Sequence, residues 1–184
     1  MKLTPSGSQT VGPFFRIGLE HLYARDTEST DNAEKVTIRG KVLDADGNPV
    51  PDAMLEVWHA SKGGLYNALQ SDSSHRPACF TRIATDDNGT FRFTIVRLGP
   101  VACAAQSQQA PHIAILVFAR GLLRHLTTRM YFPDDPANDS DPVMQLIPPE
   151  RRHTLIAQQN ANSPGSFEWN VVLQGQDETV FFAC

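Results

Sequence analysis

The chain has 184 residues, 41% apolar and 20% charged, which suits one globular domain burying roughly 70% of its unfolded surface. Sixteen Lys and Arg against twenty Asp and Glu leave a formal charge of −4 without any basic block, which removes the raw material for nucleic-acid binding by counterion release. The longest apolar run, Ile113–Ala119, falls far short of the roughly 20 residues of a membrane helix.

Met1–Thr10 lacks a cationic start followed by an apolar stretch, so export is not expected. Cys79, Cys103 and Cys184 have no C-x-x-C spacing, which argues against a disulfide framework or a thiolate zinc site and for a reducing cytoplasm. Residues 1–35 mix Gly, Pro and Thr with the polar run Arg25–Asn32 and read as an irregular N-terminal arm. The remainder, 36–184, reads as one domain.

From Val36 the pattern turns to alternation. Val36–Leu43 has the apolar–polar period of a half-buried strand and ends in the turn cluster Asp44-Ala-Asp-Gly-Asn-Pro49. That cluster has its glycine at the fourth place and no acidic residue at the twelfth, so it is a turn and not a calcium loop. Ala53–Trp58 reads as a returning strand, and Phe80–Ala84, Asp86–Gly89 and Thr90–Ile95 repeat the strand, turn, strand plan.

Pro111–Phe118 is apolar throughout, as in the middle of a sheet, and Arg129–Phe132 is a further short strand. Pro136–Pro149 reads as a loop, Pro149–Ala157 as a short helix, and Phe167–Leu173 and Thr179–Phe182 as closing strands. Together these predict an all-β fold, an antiparallel-rich β-sandwich with long loops and one short helix.

Phosphate-loop, dinucleotide-binding, serine-elbow and helix-borne zinc motifs do not occur. Of six histidines, His112 opens an apolar strand, but the residue two places on, which would share its face, is Ala114. A core histidine and a ligand both remain open for it. His125 and His153 are too distant in sequence to suggest a shared site, and Tyr23, Tyr66 and Tyr131 are scattered. Arg120 ends the apolar run before Gly121, where its guanidinium could grip a carboxylate through two parallel hydrogen bonds or could cap the strand in solvent.

Several blocks taken in order resemble the intradiol ring-cleavage dioxygenases: Ser8-Gln-Thr-Val-Gly-Pro-Phe14, Gly40–Ala53, Leu55-Glu-Val-Trp58, Ala110-Pro-His-Ile113, Phe118-Ala-Arg-Gly121, Thr128–Phe132 and Glu178–Phe182. The resemblance implies a β-sandwich and non-haem Fe(III) held by two tyrosines and two histidines. By the same alignment, ligand positions fall on Ser73, Val101 and Ala114, and only His112 is retained. This departure resembles the α chain of heteromeric members, whose β chain carries the Fe(III).

The implied activity is cleavage by O2 of protocatechuate (3,4-dihydroxybenzoate) to 3-carboxy-cis,cis-muconate in aromatic catabolism, with no activity expected of this chain alone. The implied substrate-binding residues are Thr10, Gly12, Pro13, Phe14 and Arg120, with no catalytic or metal-binding residue in this chain. The competing expectation is a catalytically inert β-sandwich serving a binding or structural role.

Overall fold

Alternating burial along each strand builds two sheets that face one another. The computed structural model describes residues 10, 12–23, 34–66, 79–103, 107–133 and 135–183. Strand β1 (Lys35–Leu43) is the spine of the first sheet, pairing antiparallel with β4 (Thr90–Val96) and parallel with the short β10 (Ser166–Glu168) and β11 (Val171–Val172). The second sheet has the order β3 (Phe80–Ala84), β2 (Met54–His59), β7 (His112–Phe118), β8 (Leu126–Tyr131), all antiparallel.

Val36, Ile38, Val42, Phe91, Phe93 and Ile95 of the first sheet meet Leu55, Val57, Ile113, Ile115, Val117 and Met130 of the second in one buried cluster. The small pairs β5 (Val101–Ala102) with β6 (Gln108–Gln109), and β9 (Gln158–Gln159) with β10, complete the strands. The expected antiparallel-rich sandwich is therefore the observed architecture.

Five local expectations are corrected. The Asp44 and Asp86 clusters do form tight turns of one design. In each, the aspartate Oδ1 accepts two backbone N–H groups, and Gly47 (φ 79°) or Gly89 (φ 69°) takes the left-handed conformation. After the first turn, however, the chain returns beside β1 only at Pro49–Val50, through the Leu43–Pro49 bridge and Val50 N donating to Val42 O (2.9 Å). It crosses to the second sheet at Pro51–Ala53, and β3 likewise feeds β4 across the layers.

Residues 149–155 form a 3-10 helix instead of an α-helix. The flanking prolines remove donors, and Arg152 Nε and Thr154 Oγ1 bond to Ile147 O and Arg151 O. The strand expected at 129–132 begins earlier, at Leu126, because residues 126–131 pair fully with 112–117. The closing strands are broken: the ladder with β1 is interrupted at Trp169–Asn170 between β10 and β11 without a change of register, and Phe182 makes a single bridge to Thr127. A six-residue α-helix, α1 (Pro13–Gly18), followed by a 3-10 turn at Glu20–Leu22, gives the N-terminal arm regular structure.

The approach of Trp169 explains Gly40. Trp169 N donates to Arg39 O (2.8 Å) and Lys41 N to Asn170 Oδ1 (2.9 Å), so the Trp169–Asn170 backbone is held against Gly40. A Cβ there would fall 1.6 Å from the Trp169 carbonyl oxygen. The neighbour is backbone, so relief requires moving the strand. Gly40→Ala is expected to destabilise the chain by about 3 kcal/mol, read as a lowered urea midpoint at unchanged slope.

Candidate functional site

His112 stands at the start of β7 with its ring on the outer face of the second sheet, 2% exposed. Its Nδ1 lies 2.8 Å from Ala110 O, and a carbonyl can only accept, so Nδ1 carries the proton. The unprotonated Nε2 then accepts from the Tyr66 hydroxyl at 3.3 Å. Tyr66 arrives there because Gly64 (φ 73°) and Gly99 let two loops press backbone to backbone: added Cβ atoms would lie 2.1 Å from Pro100 O and from Lys62 O respectively.

Tyr131, opposite His112 in register, packs its ring 5.7 Å away and donates to Asp141 Oδ1 at 3.3 Å. Asp141 is fully buried, and its two oxygens also accept from the backbone N–H groups of Ala110, Val143 and Met144, each at 2.8 Å. Sequence reading missed this convergence: two of three seemingly scattered tyrosines meet the one histidine. The β7–β8 register carried the signal for Tyr131, but the loop that brings Tyr66 has no periodicity to read.

Ala114 lies opposite Arg129. Arg129 Nη1 donates to Gln109 Oε1 (3.0 Å) and lies 3.4 Å from the Tyr131 hydroxyl, with the guanidinium 6.0 Å from the Phe182 ring centroid. Burial, then the positive charge of Arg129, lowers the His112 pKa below its ordinary value. Burial pushes the Tyr66 phenol up and the Tyr131 phenol up to about 12, each partly offset by Arg129.

Val101 sits half-buried in β5, paired with Gln109. Ser73 lies outside the described residues. Among the described residues no three His, Cys, Asp or Glu side chains gather to hold a metal. His125 is elsewhere, with its ring 5.4 Å from that of Phe118, and His153 is exposed in the 3-10 helix at 149–155. One imidazole and two phenols beside a guanidinium still lack the second histidine of the two-tyrosine, two-histidine donor set that the resemblance implies, and the fixed cation opposes an added one.

The second group of expected residues lies at the far end of the same sheet. Phe118 and Ala84 both pair with Met54. Two residues past Phe118, the side chain of Arg120 is 64% exposed, with Nε 3.2 Å from Asp52 Oδ2. Arg16, Ile17, Glu20 and Tyr23, from α1 and the turn after it, line a cleft with Ala84, which places the N-terminal segment at this end as well.

Thr10 is exposed, and Gly12 (φ 68°) precedes α1, whose first residues are Pro13 and Phe14. Six residues of strand at roughly 3.4 Å each put the Arg120 end about 20 Å from His112. The structure thus separates Arg120 and the N-terminal segment at 16–23 from the cluster around His112.

Fold and sequence agree on the class: a dioxygenase family profile matches residues 12–175, and the chain belongs to the intradiol ring-cleavage dioxygenases. The α chain of protocatechuate 3,4-dioxygenase from Burkholderia cepacia is 40% identical over 99% of this chain and 98% of its own length, and that from Pseudomonas putida is 37% identical over 98% and 96%. The β chain from Burkholderia cepacia is 31% identical over 88% of this chain and 77% of its own length. Among solved structures, 3-chlorocatechol 1,2-dioxygenase from Rhodococcus opacus superposes with a TM-score of 0.64 at 20% identity, covering 82% of this chain and 64% of that one. The dioxygenase domain from Streptomyces sp. SirexAA-E gives 0.61 at 23% identity, covering 94% and 100%. Among the described residues no helix is long and apolar enough to cross a membrane.

Burial lowers the pKa of both His112 and His59 below 6.5, so the folded state favours neutral imidazole and the unfolded chain binds more protons on acidification. Their contribution to stability is complete above pH 6.5 and is lost as pH falls below it. Urea unfolding at a series of pH values is expected to show stability falling below that point, with a shallower fall in a His59→Gln, His112→Gln double variant.

Proposed function

We propose that this chain is the non-iron-binding α subunit of a heteromeric protocatechuate 3,4-dioxygenase, completing the substrate pocket of a β partner that holds the Fe(III). The observation that carries this reading is the separation just described. The remnant around His112 lacks a fitting donor set, whereas Arg120 and the N-terminal segment lie about 20 Å away, at the other end of the sheet. Full-length identity to two α chains supports the same assignment.

In this reading the iron supplies activation of the catechol toward O2, and the α chain supplies recognition. Arg120 pairs with the ring carboxylate of protocatechuate, the group that distinguishes this substrate from catechol. Thr10, Gly12, Pro13 and Phe14 wall the pocket on the outer side of the ring. Phe14 has no hydroxyl, so its part is packing. Residues 1–35 serve as the N-terminal arm, and 36–184 as the sandwich that carries it. Both O2 atoms enter the product, 3-carboxy-cis,cis-muconate. Free thiols at Cys79 and Cys103 suit a reducing cytoplasm.

The test co-expresses this chain with its β partner. Iron and protocatechuate-dependent O2 uptake are expected in the two-chain complex, and neither in this chain alone. A single charge-assisted bond is worth about 1.5 to 3 kcal/mol, so Arg120→Ala is expected to lower kcat/KM for protocatechuate about ten- to a hundredfold and to spare catechol. Equal losses on both substrates would overturn the carboxylate role. An active complex in which this chain can be omitted would favour the inert-module reading.

A further inference from the structure

An arginine at the tip of a turn is a poor recognition device by itself. Its stem has many rotamers, and a guanidinium free in solvent must give up that freedom each time it grips an anion. Arg120 is such a residue: its side chain is 64% exposed and it is followed by Gly121 at φ 84°. What distinguishes it is the acid beside it. The Asp52 side chain is only 13% exposed, and its Oδ2 lies 3.2 Å from Arg120 Nε.

The backbone under Asp52 is fixed, because Ala53 N donates to Thr85 Oγ1 (3.0 Å), Thr85 Oγ1 donates to Val50 O (2.8 Å), and β2 begins at Met54, in register with Phe118. The other carboxylate oxygen, Oδ1, is buried without a hydrogen-bond partner. An unsatisfied buried acceptor costs stability, so this carboxylate is not explained by a gain in folding.

We propose that Asp52 is a positioning residue for Arg120. It holds the guanidinium by the Nε side and leaves the Nη1–Nη2 edge presented to a carboxylate-bearing aromatic substrate. This rests on the role given to Arg120 above. Two effects of Asp52 oppose one another: its charge repels the incoming carboxylate, while its grip removes rotamer freedom in advance. The repulsion is screened, because the guanidinium stands between the two anions and is largely exposed to water; the loss of rotamer freedom is not screened. Positioning therefore wins.

The experiment uses the two-chain enzyme with protocatechuate and with catechol. Asp52→Ala is expected to raise KM for protocatechuate about five- to tenfold, leaving kcat within about twofold and catechol kinetics unchanged. Asp52→Asn, which keeps an oxygen beside Nε but loses the charge, is expected to recover part of that loss. In an Arg120→Ala background, Asp52→Ala is expected to add nothing.

A loss that falls equally on both substrates, or that adds in full to that of Arg120→Ala, would make Asp52 a purely structural residue and overturn the proposal. If Arg120→Ala alone left the substrate preference unchanged, the carboxylate role itself would fall, a result seen in the single variant and so separable from the first. Should Asp52→Ala fail to assemble with the partner, Asp52→Asn read against Arg120→Ala decides the same question.

Discussion

The place where the chain changes sheets sets the layout of everything functional. Thr85 is 1% exposed and ties both crossings at once: its backbone N–H donates to Ala53 O, its hydroxyl bonds to Val50 O, and it accepts from Ala53 N. One buried hydroxyl thereby satisfies backbone groups that would otherwise be stranded where neither sheet supplies a partner. The clip fixes where β2 begins, and with it the registers of β2 against β3 and β7. Asp52 meets Arg120 because Met54 is opposite Phe118, and the N-terminal segment reaches the same end because Met54 is also opposite Ala84.

At the opposite end the outer face of the same sheet is organised by charge. Asp141 gathers the Tyr131 hydroxyl and three backbone N–H groups, which holds the 3-10 turn at 144–146 against β8. Arg129 then contributes a fixed cation among His112, Tyr66 and Tyr131, lowering the histidine's pKa further and moderating the rise at both phenols. Imidazole and phenol thus remain as neutral hydrogen-bonding partners. A small residue at 114, opposite Arg129, and a glutamine at 109 that accepts from it are of a piece with a cluster that contains its own positive charge.

The sequence made the strands legible wherever one face of a strand is buried and the other is wet, because burial with a period of two is what the alternation reports. Phe80–Ala84 and His112–Phe118 emerge as read, to within a residue. Crossings between sheets were not legible, since the Asp–Gly turns have the same local chemistry whether the next strand pairs back or leaves for the other layer. The break in the ladder at Trp169 was hidden for a related reason: the backbone it lies against is at Gly40, more than a hundred residues earlier in the chain. Within the candidate site, Arg120 could be picked out as an exposed guanidinium at a strand end. Asp52, its partner, sits in a proline-bounded stretch that reads only as a turn, and Tyr66 reaches His112 through a loop contact that no local pattern announces.

These two ends of one face carry the functional reading together. A chain that kept the whole chemistry for itself would need its recognition groups within a substrate's length of the metal donors, and a catechol acid spans well under the roughly 20 Å between Arg120 and His112. On the proposed reading, an arginine pre-set at the sheet's end serves a pocket that the partner chain completes. The sandwich has the rigidity for that task, because the residues bearing Asp52 and Arg120 follow from a register fixed by β2 and β7 and from a buried hydroxyl clip. On the proposed reading, the donor set around His112 could be lost without harm to catalysis as long as that distant end kept its geometry.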